Sequence, residues 1–521
     1  MRHPTDKISS NNLRHLPLIL LTGWALLMIG FILRSMSLCD GLLVYTLDDP
    51  YIHLAVADRI NAGGYGVNLG EYSSPSSSIL YPVILAGTEI AGLGMSGPLV
   101  VNLVAMGGVV YLIGIFLRKW DGLGLFAAFV FGMLLCANIN AWGLVMTGME
   151  HSLHLLVVAV VVIGLFDMAA DPELKPSWWL IACIVAMPLI RFEGAAMSAA
   201  ALGALWLSNH RRTAITAAAV LLASVAVWVF FTATHGLPVM PSSVQMKSSS
   251  VSGVMGHAGL YSTLRSVGEN ALQNVRNKQG VYILLLQLAI AWMLWLAPQA
   301  SRREKLAGGV VLAAGVAHLL FGRYGWFSRY EIYLFLATIL AAIALVRPYL
   351  CTRAVRIAIF VFPFFAAAAY VRTARISPDA SKNIYEQQYQ MRRFAQELWQ
   401  KPVAVNDLGL VSYRNSAYVL DLAGLGSEKI RKLRQANRLN AAEIQEAVAD
   451  RKVGLVMIYE NWFPGAIPSN WIKVATLNTS RVAAAEPKVA FFATSPAYAE
   501  EIKRLLPAFA ASLPSGSNLD Y

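Results

Sequence analysis

Charged residues are scarce in this sequence, and that scarcity restricts its class more than any other property. Only 14% of its 521 residues are Asp, Glu, Lys or Arg, whereas 57% are hydrophobic. Soluble domains average about 25% charged residues, so the composition excludes an ordinary soluble enzyme and predicts an integral membrane protein. The apolar runs lack alternation of period two, which argues against a transmembrane barrel of strands and favours membrane-spanning helices.

Cysteine is also scarce, with four residues in the whole chain. None of them forms a Cys-x-x-Cys pair, and Cys136, Cys183 and Cys351 lie in or beside apolar segments. The sequence therefore predicts neither a disulfide framework nor a zinc site. Internal symmetry between the two halves of the chain is absent as well, which argues against a secondary transporter.

Positive charge is unevenly distributed. The net charge of +12 does not indicate a nucleic-acid partner, because Lys and Arg gather in short turns between apolar runs. Such turns lie in the cytoplasm by the positive-inside rule. We therefore predict about eleven transmembrane helices in the inner (plasma) membrane, with a cytoplasmic N-terminus. The predicted spans are 17–33, 99–117, 122–136, 151–168, 178–190, 194–207, 214–233, 281–297, 306–321, 331–346 and 355–370.

Two segments depart from this pattern. Residues 79–94 are apolar but short and contain Glu89, so we predict that they lie along the outer face or re-enter it. After residue 371 the apolar runs shorten, and strand–helix alternation appears. The sequence thus predicts a transmembrane domain over 1–371 and a soluble extracytoplasmic α/β domain over 372–521. The predicted strands of this domain are 403–406, 418–422, 455–459 and 489–493, and its helices lie near 382–399, 427–436, 440–450 and 497–506.

The most distinctive polar residues are Asp48 and Asp49, which follow the first span. Carboxylates beside a bilayer tend to be paired, hydrated or functional, and either one can take a proton from an acceptor hydroxyl. The structural alternative is that Asp49 only caps a helix over 50–62. His53 follows Asp49 by four residues, where it can orient a carboxylate or take part in the chemistry.

Aromatic and hydroxyl side chains follow in the same predicted outer loop. Tyr51, Tyr72 and Ser74 are of the types that bind sugars through ring faces and hydroxyl groups, although ordinary turns contain the same residues. At a second predicted outer turn, Glu150 precedes His151 and His154 in the chain. A two-histidine metal site is only weakly indicated by this spacing, and polar residues at the start of a helix explain it more simply.

Four cations lie on the predicted outer side, against the positive-inside bias. Arginine can bind a phosphate through paired N–H donors, so a lipid phosphate is a suitable ligand for such cations. The alternative is a salt link between neighbours, Arg191 with Glu193 or Arg329 with Glu331. The four cations are Arg191, Lys247, Arg323 and Arg329.

In their order along the chain, these elements resemble the GT-C superfamily of polyprenyl-phosphate-sugar glycosyltransferases, most of all the branch that holds the mycobacterial cell-wall arabinofuranosyltransferases. The resemblance covers nearly the whole chain and rests on the order of the elements, not on any single one. Phe192, Ser242, Ser243 and His151 depart from the family pattern and leave the sugar and the acceptor open. The matching elements are Asp48-Asp49 with Tyr51-Ile52, 63–66, 73–75, 147–150, 191–194, 241–247, Arg329-Tyr330, 406–409 and 420–425.

The resemblance implies an inverting transfer of a sugar, such as arabinofuranose, from a polyprenyl-phosphate donor to an envelope glycan or glycoprotein. It implies Asp48 or Asp49 as the general base and no cofactor, although a divalent metal is the alternative. A ligase or polymerase of lipid-diphosphate-linked oligosaccharides, a transporter and a scaffold with a degenerate site are the alternative functions. The implied substrate-binding residues are Tyr51, His53, Tyr72, Ser74, Glu150, Arg191, Glu193, Lys247, Arg323 and Arg329.

Overall fold

The computed structural model describes residues 13–120, 123–247, 260–295, 300–349 and 352–521, and it is mostly helical. Among these residues, eight helices are long and apolar enough to cross a membrane, and three shorter apolar helices accompany them. Each predicted span overlaps one of these helices, which confirms the polytopic helical class of the fold. The protein is a multi-pass membrane protein.

The chain forms two compact units that interleave along the sequence. The first unit draws its described residues from the segments 13–31, 99–227 and 260–375, and the second from 32–98, 228–247 and 376–521. The second unit therefore combines the predicted first outer loop with the C-terminal part of the chain. The linear domain boundary between residues 371 and 372 stays a prediction.

Helices account for most of the described residues. In chain order they are α1 (Leu16–Ser37), α2 (Asp49–Asn61), α3 (Tyr81–Ile90), α4 (Gly97–Arg118), α5 (Leu125–Asn138), α6 (Gly143–Met146), α7 (His151–Ala170), α8 (Trp178–Ile190), α9 (Gly194–Leu207), α10 (Arg211–Thr234), α11 (Ser242–Lys247), α12 (Leu260–Arg276), α13 (Lys278–Trp295), α14 (Arg302–Phe321), α15 (Ile332–Val346), α16 (Arg353–Glu386), α17 (Gln388–Arg393), α18 (Gly409–Ser412), α19 (Glu428–Gln435), α20 (Ala441–Asp450) and α21 (Pro496–Ala511).

Two helices differ from the sequence prediction. The predicted outer loop 234–280 contains α12, whose Asn270 and Asn274 side chains each donate to the carbonyl oxygen of Gly322, just past the end of α14. The hydropathy of α12 is too low for the sequence to predict it as a membrane span. The segments 355–370 and 382–399 were predicted as separate helices, whereas α16 is continuous from Arg353 to Glu386.

Glycines allow helices of the first unit to approach one another closely. A Cβ atom at Gly114 of α4 would lie 2.5 Å from the Cα of Pro17, the second residue of α1. A Cβ at Gly132 of α5 would lie 2.5 Å from the Cδ2 of Leu20. Helices in lipid associate through packing of this kind, because burial of apolar surface gives little driving force there.

The second unit contains a sheet of six strands in the order β2-β1-β3-β5-β4-β6. Strands β2, β1 and β3 are parallel, and the remaining pairs are antiparallel. Four strands coincide with predicted ones, whereas β4 and β6 were missed because their alternation is short or broken. The strands are β1 (Val403–Val405), β2 (Val419–Asp421), β3 (Leu455–Ile458), β4 (Ile472–Asn478), β5 (Lys488–Ala493) and β6 (Asn518–Asp520).

Polar residues cluster where the parallel strands end. Asn406 and Asp407 follow β1, Asp421 ends β2, and Tyr459 follows β3. The carboxyl ends of parallel strands lie at one edge of a sheet, the edge where open α/β sheets bind ligands. The backbone N–H of Tyr459 donates to Oδ1 of Asn406 over 2.8 Å, which ties two of these strand ends together.

We expect Gly114→Ala to destabilise the protein by about 1–3 kcal/mol, the usual cost of overpacking, because the new methyl would meet backbone atoms of Pro17. The matched control is Gly30→Ala on α1, where a Cβ would have no atom within 4 Å. Thermal unfolding of the detergent-purified protein measures both. Equal melting temperatures for the two variants would contradict the close packing.

Candidate functional site

The acidic pair opens helix α2 in the second unit. The helix begins at Asp49, and Asp48 is its N-cap residue. The Asp48 side chain makes no capping hydrogen bond to the backbone of this helix. Its carboxylate turns to the C-terminal part of the same unit: Oδ2 accepts from the N–H of Gly409 over 2.7 Å, and Oδ1 accepts from Leu410 over 2.9 Å. Asp48 is therefore held by backbone donors remote in sequence, not by its own helix.

Gly409 makes this approach sterically feasible. A Cβ atom there would lie 2.1 Å from the carbonyl oxygen of Asp48 and 2.7 Å from its Oδ2. No other residue type fits, because every other type carries a Cβ. This requirement gives a physical reason for the glycine in the element 406–409.

Asp407 lies two residues before Gly409 and belongs to the same site. Its Oδ2 accepts from the Tyr459 hydroxyl over 2.6 Å and from Nε2 of Gln388 over 2.8 Å. Asp407 was part of the resemblance, yet it was not among the predicted site residues. Its position directly after a buried strand was the signal in the sequence that could have identified it.

Burial and like charge act together on these carboxyl groups. Burial and the neighbouring charge of Asp407 raise the pKa of Asp48 to about 8, against the opposing effect of the two backbone N–H donors. Burial also raises the pKa of Asp407, although the hydrogen bonds from Tyr459 and Gln388 oppose the change. Two such groups do not both ionise readily near neutral pH.

The other predicted residues of the first outer loop serve to hold its shape. Nδ1 of His53 lies 3.0 Å from Oγ of Ser76, and its Nε2 lies 3.4 Å from Oγ of Ser77. The Tyr51 hydroxyl is buried and accepts from the backbone N–H of Tyr45 over 3.1 Å. His53 and Tyr51 are thus placed within the folded loop.

Tyr72 and Ser74 contact the segment around α11. The Tyr72 ring lies 4.0 Å from the His235 ring between centroids and is partly exposed. The carbonyl oxygen of Ser74 accepts from the N–H of Ser242, which begins α11. Lys247 ends that helix, and its side chain lies outside the described part of the chain.

Arg191 forms the centre of a buried charge cluster in the first unit. It donates to Oε1 of Glu150 and to Oε1 of Glu193, over 2.5 Å in each case. Burial raises the pKa of Glu193, but Arg191 outweighs it and holds that pKa down at about 2. The predicted Arg191–Glu193 salt link is therefore present, and two carboxylates compensate the guanidinium charge.

Tyr330 lies between two arginines of the same unit. The Arg329 guanidinium lies 5.0 Å from its ring centroid and the Arg191 guanidinium 5.8 Å, and Nη2 of Arg329 donates to the Tyr330 hydroxyl. These are cation–π distances. Arg323, six residues earlier in the chain, is exposed, whereas Arg329 is buried.

A left-handed turn precedes Arg329. Gly325, Trp326, Phe327 and Ser328 have consecutive positive φ angles of 91°, 47°, 61° and 50°. Each non-glycine residue in this conformation costs about 1–2 kcal/mol. Oε2 of Glu331 accepts from the N–H of Gly325 over 3.0 Å and so closes the turn.

Metal-binding groups are not clustered in the described residues, where no set of three or more His, Cys, Asp or Glu side chains is suited to hold an ion. Cys39, Cys136 and Cys183 are free thiols, and Cys351 lies outside the described residues. The expectation that no metal takes part stays a prediction.

The fold is similar to that of solved membrane glycosyltransferases. ArnT from Cupriavidus metallidurans, in a structure bound to undecaprenyl phosphate, matches with a TM-score of 0.50 and 13% identity over 92% of this chain and 99% of ArnT. The mycobacterial arabinofuranosyltransferase AftD matches with a TM-score of 0.45 and 12% identity over 91% of this chain and 41% of its own length. The Archaeoglobus fulgidus oligosaccharyltransferase matches with a TM-score of 0.46 and 12% identity over 95% and 78%.

The match to ArnT shows the fold alone, and the predicted resemblance is confirmed at that level. A family model described as a domain of unknown function (DUF8728) matches residues 382–492. No curated protein matches the chain in sequence.

We expect Arg191→Met to lower the free energy of unfolding by about 3–5 kcal/mol, because it leaves the buried Glu150 carboxylate without its cation. Adding Glu150→Gln to the same chain should restore part of this loss. The matched control is Arg323→Met, which removes an exposed arginine. Thermal unfolding in detergent provides the measurement, and equal melting temperatures for Arg191→Met and Arg323→Met would exclude the structural role of the cluster.

Proposed function

We propose that this protein is a membrane glycosyltransferase that moves a sugar from a polyprenyl-phosphate donor to an envelope glycan or glycoprotein. The transfer takes place on the outer face of the inner membrane and inverts the anomeric centre. The observation that carries the proposal is the half-buried pair Asp48 and Asp49 at the start of the first outer loop, with Asp407 beside it. The fold supports it, because ArnT, which has the same fold over 92% of this chain, binds undecaprenyl phosphate.

In the proposed reaction an aspartate activates the acceptor. The carboxylate takes the proton of an acceptor hydroxyl, and the oxygen attacks the anomeric carbon from the face opposite the phosphate. The bond from that carbon to the phosphate oxygen breaks, and polyprenyl phosphate leaves with the electron pair. A carboxylate with a pKa near the working pH is suited to this step, because it is both deprotonated and basic.

Asp48 is the stronger candidate for the base. A carboxylate has about four lone-pair positions, and two backbone N–H groups occupy two of those on Asp48. The remaining positions are open to a substrate hydroxyl, and the raised pKa makes them basic. Asp49 is the first residue of α2, where the helix dipole favours a retained negative charge, so it is better suited to stabilise positive charge on the sugar.

The departing phosphate requires positive charge from the protein. Arg191 already neutralises Glu150 and Glu193, so we assign it the role of holding the turns that carry these residues. Arg323 and Arg329 stay candidates for the phosphate from the sequence, and Arg323 is exposed. Lys247 stays a candidate from the sequence.

The test uses the full-length protein in proteoliposomes with radiolabelled polyprenyl-phosphate pentose and hexose donors and an envelope extract as the acceptor. We expect transfer from one donor, and a loss of about 10²–10⁴-fold in Asp48→Asn, the usual contribution of a general base. Asp49→Asn should retain more activity than Asp48→Asn. The control is Asp450→Asn, an exposed carboxylate that pairs with Lys429, which should transfer as the wild type does.

The other outcomes separate the alternatives. Transfer only from a lipid-diphosphate oligosaccharide would make the protein a ligase or polymerase. Absence of transfer from every donor, with folded protein, would exclude the enzyme and favour a transporter or a scaffold. Full activity in Asp48→Asn and loss in Asp49→Asn would move the role of base to Asp49.

We also propose that the transfer needs no divalent metal. The carboxylates that stand out in the sequence already have donors, since Asp48 accepts from two N–H groups and Glu150 from Arg191. EDTA should therefore leave the transfer rate unchanged within about twofold. Loss of activity in EDTA with recovery in Mg²⁺ or Mn²⁺ would contradict this, and Asp450→Asn under the same conditions controls for effects of the chelator on the vesicles.

A further inference from the structure

The segment that follows β1 is built around Asp48. Gly409 and Leu410 donate to its two oxygens, and the missing Cβ of Gly409 lets the backbones touch. These residues are separated by 361 and 362 positions in the chain. The C-terminal segment is therefore part of the wall around Asp48, not a remote attachment.

Asp407 in that segment is fixed by neutral donors only. The Tyr459 hydroxyl and the Gln388 amide both donate to Oδ2, and neither brings a positive charge that would cancel the carboxylate. Within the described residues, Oε1 of the buried Gln388 has no hydrogen-bond partner, so an unused acceptor lies beside the pair. Asp407 itself is half-buried. Its charge acts on Asp48 and raises the pKa of that carboxyl group.

We infer that Asp407 is a positioning residue that acts through Asp48, because the segment that carries Asp407 also supplies the two backbone donors to the Asp48 carboxylate. The inference rests on the proposed function for its catalytic meaning. Asp48, from the first outer loop, contacts the acceptor hydroxyl, and Asp407, from the C-terminal segment, sets how strongly Asp48 holds a proton. Asp48 and Asp407 thus come from distant parts of the sequence.

Several charged and titratable groups surround this pair. Asp49 and Tyr51 face it from α2 and Tyr459 from the segment after β3, and Arg392 acts on Tyr51. Burial is the largest cause that raises the pKa of Asp48, and the charge of Asp407 is the next. Replacing Asp407 by Asn removes the second cause and keeps the first, so the pKa of Asp48 falls but stays above its ordinary value near 3.8.

The direction of the expected change in rate follows from the role of the base. Asp48 acts only when it is deprotonated, so the rate rises with pH through its pKa and reaches a plateau above it. In Asp407→Asn the rising part of the pH–rate profile, its rising limb, should move to lower pH by about one unit or more. The plateau rate should fall, because a carboxylate of lower pKa is a weaker base. KM for the lipid donor should stay unchanged, since Asp407 does not bind it.

The first experiment is the pH dependence of kcat in proteoliposomes for the wild type, Asp407→Asn and Asp407→Glu. Asparagine retains an acceptor for Tyr459 and Gln388, so Asp407→Asn preserves the shape of the site. Asp407→Glu keeps the charge and should keep the limb near the wild-type position. Asp450→Asn should leave the profile unmoved. A lower rate with an unmoved limb in Asp407→Asn would make Asp407 merely structural, and an unchanged profile and rate would remove it from the site.

The second experiment needs no activity and separates failure of the inference from failure of the proposed function. Infrared difference spectra of the purified full chain, taken across a pH titration, count carboxyl groups that lose a proton near neutrality. Among these groups, the wild type should show one that is absent in Asp48→Asn and that loses its proton at lower pH in Asp407→Asn. If wild-type transfer is absent but this band is present and shifts in Asp407→Asn, the inference stands and the proposed function fails. If transfer is present and the band is missing, the inference fails alone.

Discussion

The cost of removing charge from water is the constraint on which both units of this protein depend. An isolated ion in a low-dielectric setting is so unfavourable that it is paired, hydrogen-bonded or neutralised. In the first unit buried charges are paired, since Arg191 contacts two carboxylates. In the second unit backbone dipoles stabilise a carboxylate, because Asp48 accepts hydrogen bonds from two N–H groups. The difference matters for chemistry: a carboxylate paired with arginine is a poor base, whereas one held by amides and opposed by another carboxylate keeps its affinity for a proton.

This contrast divides the sequence candidates by role. Glu150, Glu193 and Arg191 compensate one another and hold two turns of the first unit in place. Arg329 packs against Tyr330 behind the left-handed turn at 325–328, where backbone strain is offset by the Glu331 hydrogen bond. In Asp48 and Asp407, by contrast, burial raises the pKa of both carboxyl groups.

Much of the fold could be predicted because hydropathy is a local property. Every predicted span overlaps a helix, and the buried strands β1, β2, β3 and β5 were found from short apolar runs. Helix α12 was missed because it is amphipathic, and the continuity of α16 was missed because the composition changes midway along it.

The acidic pair and the Arg191–Glu193 link could also be found in the sequence, since neighbours in sequence stay neighbours in space. The contact of Asp48 with Gly409 was not, because no local pattern reports a pair of residues 361 positions apart. Asp407 was overlooked for the same reason, although the strand before it marks the sheet edge where ligands bind.

That long separation also fixes when the site can come into being. A ribosome adds about 5–20 residues per second, so about 20–70 s pass between synthesis of Asp48 and synthesis of Gly409. During this interval the Asp48 carboxylate lacks the two backbone donors that Gly409 and Leu410 supply. The surroundings of Asp48 are therefore completed only once Leu410 has been made, and a chain truncated before Gly409 contains Asp48 and Asp49 without them.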